Sequence, residues 1–271
     1  MMTFKKLALT AMAVGAVASA TPALAVVTTF ASFQNIGAAR NVRWARTGGT
    51  NGTFTSTTAN GTAGAVAVSF SFAQAYFVTN NIAQDITALM TITGTTVADP
   101  AVSTPIPGNP NFLTQNIDSL TLSFKSTTAI TVGSTTYAAG SNLLSIVVPS
   151  TNATIGGFTG ATSGSLTNST SIGNSVLYTS DFLDFSNTVN RGFSISLDAI
   201  LNGNPNVGLR ANSNTALNNF RATATGSFSS DPAPIINGAV PEPAVWGLMI
   251  AGFGAVGFQS RRRRSIKTVT A

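Results

Sequence analysis

Strict alternation of apolar and polar side chains is the feature that most limits what this chain can fold into. In "IDSLTLSFK", Leu120, Leu122 and Phe124 share one face, while Ser119, Thr121, Ser123 and Lys125 share the other. "RGFSISLDAI" sets Phe193, Ile195, Leu197 and Ala199 against Ser194, Ser196 and Asp198. "FRATATGSF" sets Phe220, Ala222, Ala224 and Phe228 against Arg221, Thr223, Thr225 and Ser227. Successive side chains of a strand point to opposite faces, so this period predicts half-buried antiparallel strands with one wet face. "AVAVSFSFAQAYFV", "ITALMTITGTTV", "NLLSIVV" and "NSVLYTSDFLDF" add further strands, and Gly133-Ser134 predicts a tight hairpin between Val132 and Thr135. The fold expected is an all-β antiparallel β-sandwich of Greek-key or jelly-roll type over residues 26–228. A Pro-rich loop is expected at Asp99–Phe112 and a linker at residues 229–239. An outer-membrane barrel competes, but it requires lipid-facing aromatic girdles and a strand at the C-terminus, where this chain has arginines.

Composition agrees with this class and narrows the function. Of the 271 residues, 44% are hydrophobic and only 8% charged, which is too apolar for a disordered chain. The net charge of +6 suggests a nucleic-acid partner until the charges are located. Lys5, Lys6, Arg261, Arg262, Arg263, Arg264 and Lys267 carry the excess. Between Val26 and Gly238 seven basic residues (Arg40, Arg43, Arg46, Lys125, Arg191, Arg210, Arg221) meet seven acidic ones (Asp85, Asp99, Asp118, Asp181, Asp184, Asp198, Asp231). That segment is neutral, so no nucleic-acid partner is expected. With no Cys and no His, the chain lacks thiol chemistry and the commonest general base and metal ligand; no cofactor and no metal are expected.

Both ends carry targeting patterns. Lys5 and Lys6 precede an apolar run from Leu7 to Ala18, Pro22 breaks the helix, and Ala23 and Ala25 supply the small residues of a signal-peptidase site. Residues 1–25 therefore read as a signal peptide, with the Sec translocon and signal peptidase as partners. Near the other end, Pro241-Glu242-Pro243 is followed by an apolar segment, residues 244–260, and the Arg261–Arg264 cluster. Seventeen residues span about 25 Å as a helix, enough for a thin bilayer, and the arginines act as a cytoplasmic stop. Gly247, Ala251, Gly254 and Ala255 recur at helical spacing, which either admits a second helix or merely keeps the segment weakly hydrophobic. The prolines lack backbone donors and keep the tripeptide extended just outside the membrane.

This ordered set, with Trp246 inside it, resembles the PEP-CTERM sorting signal over residues 240–264, close to its Trp-containing variant. The resemblance implies an exosortase substrate of a Gram-negative bacterium, held transiently in the inner membrane. Pro241, Glu242 and Pro243 would be the recognition motif, and the mature protein would reach the cell surface or a matrix of exopolysaccharide and biofilm. A plain tail anchor is the alternative.

Chemistry within residues 26–228 is sparse. Asp181 and Asp184 are the best carboxylate pair, but a spacing of three puts them on opposite faces of a strand, so solvated or turn-capping aspartates are the favoured reading. "AARNVRWARTGG" places Arg40, Arg43 and Arg46 around Trp44. On a helix the arginines would line one side and hold an acidic polysaccharide, with Trp44 stacking on a sugar ring; a solvated basic edge beside a buried Trp is the other reading. Two functions follow: a non-enzymatic exported surface or matrix protein, or a secreted hydrolase of matrix polysaccharide that carries the same tail. The missing His and the absence of a nucleophile–base motif favour the first.

Overall fold

A computed structural model describes residues 27–37, 39–73, 85–168, 176–202, 208–231, 233–236 and 250–253. The signal-peptide residues, Ala23 and Ala25 among them, lie outside these, as do Pro241, Glu242, Pro243, Trp246, Gly247, Gly254, Ala255 and Arg261–Arg264. The described chain is nearly all β. Its first strands are β1 (Thr28–Asn35), β2 (Val42–Gly48), β3 (Asn51–Ser56), β4 (Val66–Phe72), β5 (Ile86–Thr96), β6 (Val102–Ile106) and β7 (Asn109–Ser126). There follow β8 (Ile130–Val132), β9 (Thr135–Tyr137), β10 (Asn142–Phe158), β11 (Gly164–Asn168) and β12 (Leu177–Thr179). The last are β13 (Leu183–Asp184), β14 (Asn190–Leu201), β15 (Phe220–Asp231) and β16 (Ile235–Ile236).

Two long strands organise the pairing. β5 pairs with β7 along one edge; along the other it pairs with β4 through Ile86–Met90 and with β3 through Thr93–Thr96. β15 does the same, with β14 on one edge and, on the other, β2 through Phe220–Ala222 and β1 through Gly226–Ser230. β1 joins β4 and β2 joins β3, while β7, β10, β11 and β14 pair in unbroken succession. Hydrogen bonding thus returns to its starting strand. The sheets expected to face each other are joined into one 12-stranded antiparallel sheet that closes on itself.

Closure creates two forks, where a long strand changes partner and its backbone would be left bare in the interior. Both forks are filled by polar side chains. At the β15 fork, Asn41 donates from Nδ2 to Ala224 O (3.3 Å) and accepts from Ala224 N–H at Oδ1 (2.7 Å), as a paired strand residue would. At the β5 fork, the Ser56 hydroxyl accepts from Ile92 N–H (3.0 Å) and donates to Gly64 O (2.7 Å). Asn168 extends the β11–β14 pairing in the same way, accepting from Phe193 N–H and donating to Arg191 O. All three side chains are buried. A buried backbone group without a partner costs about 1–3 kcal/mol, so these are substitutes for missing strand rather than ornaments of it.

The interior is apolar and aromatic. Phe124 of β7 touches Phe33 of β1 (5.0 Å between centroids), Phe70 of β4 (5.2 Å) and Phe228 of β15 (5.5 Å), which links opposite walls of the closed sheet. Leu120, Leu122 and Phe124 are buried as their alternation requires, and so are Phe193, Ile195, Leu197, Phe220, Ala222, Ala224 and Phe228. Val132 and Thr135 pair across Gly133-Ser134, with Gly133 at φ 60°, the conformation that the first central residue of such a hairpin needs.

Several expectations are corrected. Residues 42–48 form strand β2, not a helix, because Val42 and Trp44 alternate with Arg43 and pair with both β3 and β15. The Pro-rich stretch forms the β6–β7 hairpin, with Ile106 opposite Asn109 across Pro107-Gly108. Ala199 leaves the apolar face: β14 bulges between Asp198 and Leu201, Ala199 adopts φ 51°, and Ile200 takes the buried position. The stretch read as a linker from Ser229 stays in the sheet to Asp231, and Ile235–Ile236 pairs with β13. Of the predicted membrane helix, residues 250–253, including Ala251, are helical, with Ile250 and Phe253 exposed. Among the described residues no helix is long and apolar enough to cross a membrane.

The forks make a sharp prediction. Asn41→Leu, similar in volume but unable to pair with Ala224, is expected to destabilise the domain by about 2–4 kcal/mol. Ser56→Ala is expected to cost about 1–2 kcal/mol. Urea unfolding curves of the two variants against the unsubstituted protein measure both.

Candidate functional site

The arginines singled out in the sequence divide into two places. Arg43 points outward from β2, directly opposite Arg221 of β15 in register. Two like charges across a strand pair repel, and the fold draws both toward the turn that follows β3. Arg43 Nη1 reaches Gly61 O at 3.4 Å; Arg221 Nη2 donates to Arg40 O (3.2 Å), Thr58 O (3.0 Å) and Ala59 O (3.1 Å). Arg40 lies across β15 from them, donating from Nε to the carbonyl of Ala199 at 2.7 Å. The bulge that removed Ala199 from the core therefore presents the carbonyl that tethers this guanidinium. Among the described residues none of the three meets a carboxylate, and the Arg221 Nε–H is buried with no acceptor. A cleft of about 270 Å³ adjoins Arg40, walled also by Asn35, Ile36, Asn41, Thr57 and Thr58.

Arg46 and Trp44 do not belong to this row. Arg46 turns toward the loop before β15, its backbone N–H bonded to Asn219 Oδ1 and its Nη1 to Thr215 Oγ1. Trp44 is fully buried, and its indole N–H donates to Leu217 O at 2.8 Å. Gln115 Oε1 accepts from the Leu217 N–H, so these two side chains serve both backbone groups of Leu217. Trp44 is thus unable to stack on a sugar; the physical reason is the two-residue period, which turns it to the side opposite Arg43. Arg221 takes the place that the sequence reading had given to Arg46. Its only sequence signal was a position on the polar face of "FRATATGSF", and 178 residues separate it from Arg43.

The carboxylate pair also separates. Asp181 accepts from Asn142 N–H at 2.7 Å, ahead of β13, while Asp184 caps the following turn by accepting from Ser186 N–H and Oγ–H. Next to Asp184 a second cleft, about 450 Å³, is walled by Tyr178, Leu183, Phe185 and Arg191. Arg191 is committed there to Thr188 Oγ1, Thr188 O, Val176 O and Phe185 O, which hold the chain around residues 176–191 in place. Tyr178 donates its hydroxyl to Gly192 O and packs edge-on against Phe30 at 5.4 Å.

Burial pushes the Tyr178 phenol far above its usual 10.0, and the nearby Arg191 charge offsets only part of this. The folded protein keeps the phenol neutral, whereas the unfolded chain ionises it. Its contribution is therefore complete below about pH 10 and lost as pH rises beyond that, at up to about 1.4 kcal/mol per pH unit for one proton. Tyr178→Phe is expected to be less stable at neutral pH, through the lost hydrogen bond, but to show a shallower decline between pH 9 and 11. Urea unfolding across that range reads the difference in slope.

Comparison with curated proteins and with solved structures returns no match. The family comparison finds one region, beginning three residues after β16: residues 239–264 match the PEP-CTERM protein-sorting motif. That region contains Pro241, Glu242, Pro243, Trp246 and the Arg261–Arg264 cluster. The motif marks proteins that are exported, sorted through the membrane and processed by exosortase. The chain thus carries a PEP-CTERM protein-sorting motif that follows a closed antiparallel β-domain in sequence.

Proposed function

We propose that this chain is a non-enzymatic component of an extracellular matrix, delivered by its tail and retained there by contact with an acidic polysaccharide. The observation that carries the delivery is the PEP-CTERM motif placed directly after a folded β-domain. In this reading residues 1–25 are removed after Ala25, and residues 244–260 cross the inner membrane with Arg261–Arg264 in the cytoplasm. Exosortase then cuts near Pro241-Glu242-Pro243. The three parts have separate physical tasks. The prolines keep the backbone unpaired, the apolar segment satisfies its own hydrogen bonds in lipid, and the arginines resist translocation at roughly 2.5–3.5 kcal/mol each near mid-bilayer. The exposed apolar side chains of Ile250 and Phe253 suit a lipid surrounding.

The ligand follows from the row Arg40, Arg43 and Arg221. A domain with balanced charge that gathers three arginines at β2 and β15, none of them hydrogen-bonded to a carboxylate among the described residues, presents a site for anions in solution. Guanidinium groups bind carboxylates through paired, charge-assisted hydrogen bonds. The cleft beside Arg40 adds the partly exposed side chains of Asn35 and Thr58, whose oxygens can accept from neutral hydroxyls. A polyuronate, which alternates carboxylates with hydroxyls, fits both parts.

Two experiments test the proposal. Replacement of Pro241, Glu242 and Pro243 by alanines is expected to leave a membrane-bound, uncut species; mass spectrometry of the exported protein checks the reading, and peptides from Trp246 to Arg261 in that product refute it. The exported protein is also expected to bind immobilised polyuronate but not a neutral glucan, with affinity that falls as salt rises. Arg43→Gln, which removes the least engaged guanidinium, is expected to weaken that binding about tenfold, or about 1.4 kcal/mol. Equal retention of the variant removes the arginine row from the ligand site.

A further inference from the structure

The last described strand before the sorting motif is held by a very short pairing. Among the described residues β16 meets β13 through two residue pairs, Leu183 with Ile236 and Asp184 with Ile235, in a sheet separate from the closed one. Pro234 is buried and Ile236 packs against the core, whereas Ile235 is half exposed. The firm end of the domain lies earlier. Asp231 is paired with Asn190, accepts from Val189 N–H at 2.8 Å, and ends a strand held along both edges. Between these points stand Pro232 and Pro234, which offer no backbone donors and so keep the added pairing short.

The spacing gives this pairing a consequence for processing. Pro241 stands five positions after Ile236, a reach of roughly 17 Å at full extension. With β16 released the tether starts at Asp231, ten residues away, and the reach doubles to roughly 35 Å. The domain is large on this scale, since β7 alone has 18 residues, about 60 Å of strand. A membrane-embedded enzyme must take an extended segment into its cleft while this body sits on the same side of the bilayer. Short, partly exposed pairings are also the first to open in a folded protein.

We propose that the β13–β16 pairing is a releasable strap: closed, it shortens the reach of the chain that leads to the sorting motif, and open, it lets the sorting enzyme take the motif. The strap rests on the reading that the enzyme cuts near Pro241. The two prolines upstream serve both states, limiting the pairing when closed and keeping the released chain extended.

The full-length precursor, expressed in a Gram-negative host that has exosortase, provides the test. The native chain has no cysteine, so Asp184→Cys with Ile235→Cys creates a single possible cross-link, at two exposed positions that face each other across the strap. The oxidised variant is expected to be cut about tenfold more slowly or not at all, and to regain the unsubstituted rate on reduction. Ten Gly/Ser residues inserted after Gly238 are expected to restore cutting of the oxidised form, because they return the lost reach. Equal cutting of oxidised and reduced forms overturns the strap, and so does an oxidised form that stays uncut despite the insertion. Failure to cut the unsubstituted precursor instead overturns the sorting reading on which the strap rests.

Discussion

The closed sheet depends on side chains that act as backbone. A sheet in which β5 and β15 each serve two partners on one edge must leave a gap at each change of partner. In an apolar interior such a gap is costly. Asn41 closes one by donating and accepting at Ala224, and Ser56 closes the other by bridging Ile92 and Gly64. Gln115 and Trp44 do the same for Leu217, and Asn168 for Phe193 and Arg191. An amide side chain carries one donor face and one acceptor face, so it can stand in for a residue of strand. This is one physical use for the chain's many Asn and Ser residues beyond turns.

The forks also place the outer surface. Because Asn41 bonds to Ala224, the chain just before it is fixed over β15, where Arg40 reaches the Ala199 carbonyl and its own carbonyl receives Arg221. The turn after β3, which receives Arg43 and Arg221, leads from Ser56 at the other fork. The arginine row is therefore an outer consequence of the same closure that forms the interior. Relaxation at one fork would move the guanidinium groups along with the strands.

Much of this was legible in the sequence, and the misses have a common cause. Alternation is local, so the faces of β7, β14 and β15 could be read directly, except where a bulge shifted the count at Ala199. The Gly133-Ser134 hairpin could be read because a two-residue turn depends on its own residues. Arg40 to Arg46 misled because three arginines at intervals of three imitate a helical face, while the pairing of Val42–Gly48 with β3 and β15 imposed a strand. Trp44 was buried by the same period that exposed Arg43. The partnership of Arg43 with Arg221, and of Asn41 with Ala224, depends on register between segments more than 170 residues apart. Nothing in "AARNVRW" distinguishes an asparagine at a fork from one in a loop.

The tail was legible for the opposite reason. A sorting signal has to be recognised as a linear stretch, so its information lies in the order of residues: a Pro-Glu-Pro tripeptide, an apolar run and an arginine cluster. The polysaccharide site proposed on the domain exists only after β2 and β15 have met in register, and its parts carry no mark while they are apart. The two ends of the molecule's task thus follow different rules. Delivery is specified one-dimensionally in residues 239–264, and what is delivered is specified by closure of the sheet. The two meet at β16, the short strand by which the folded domain still holds the chain that leads to the signal.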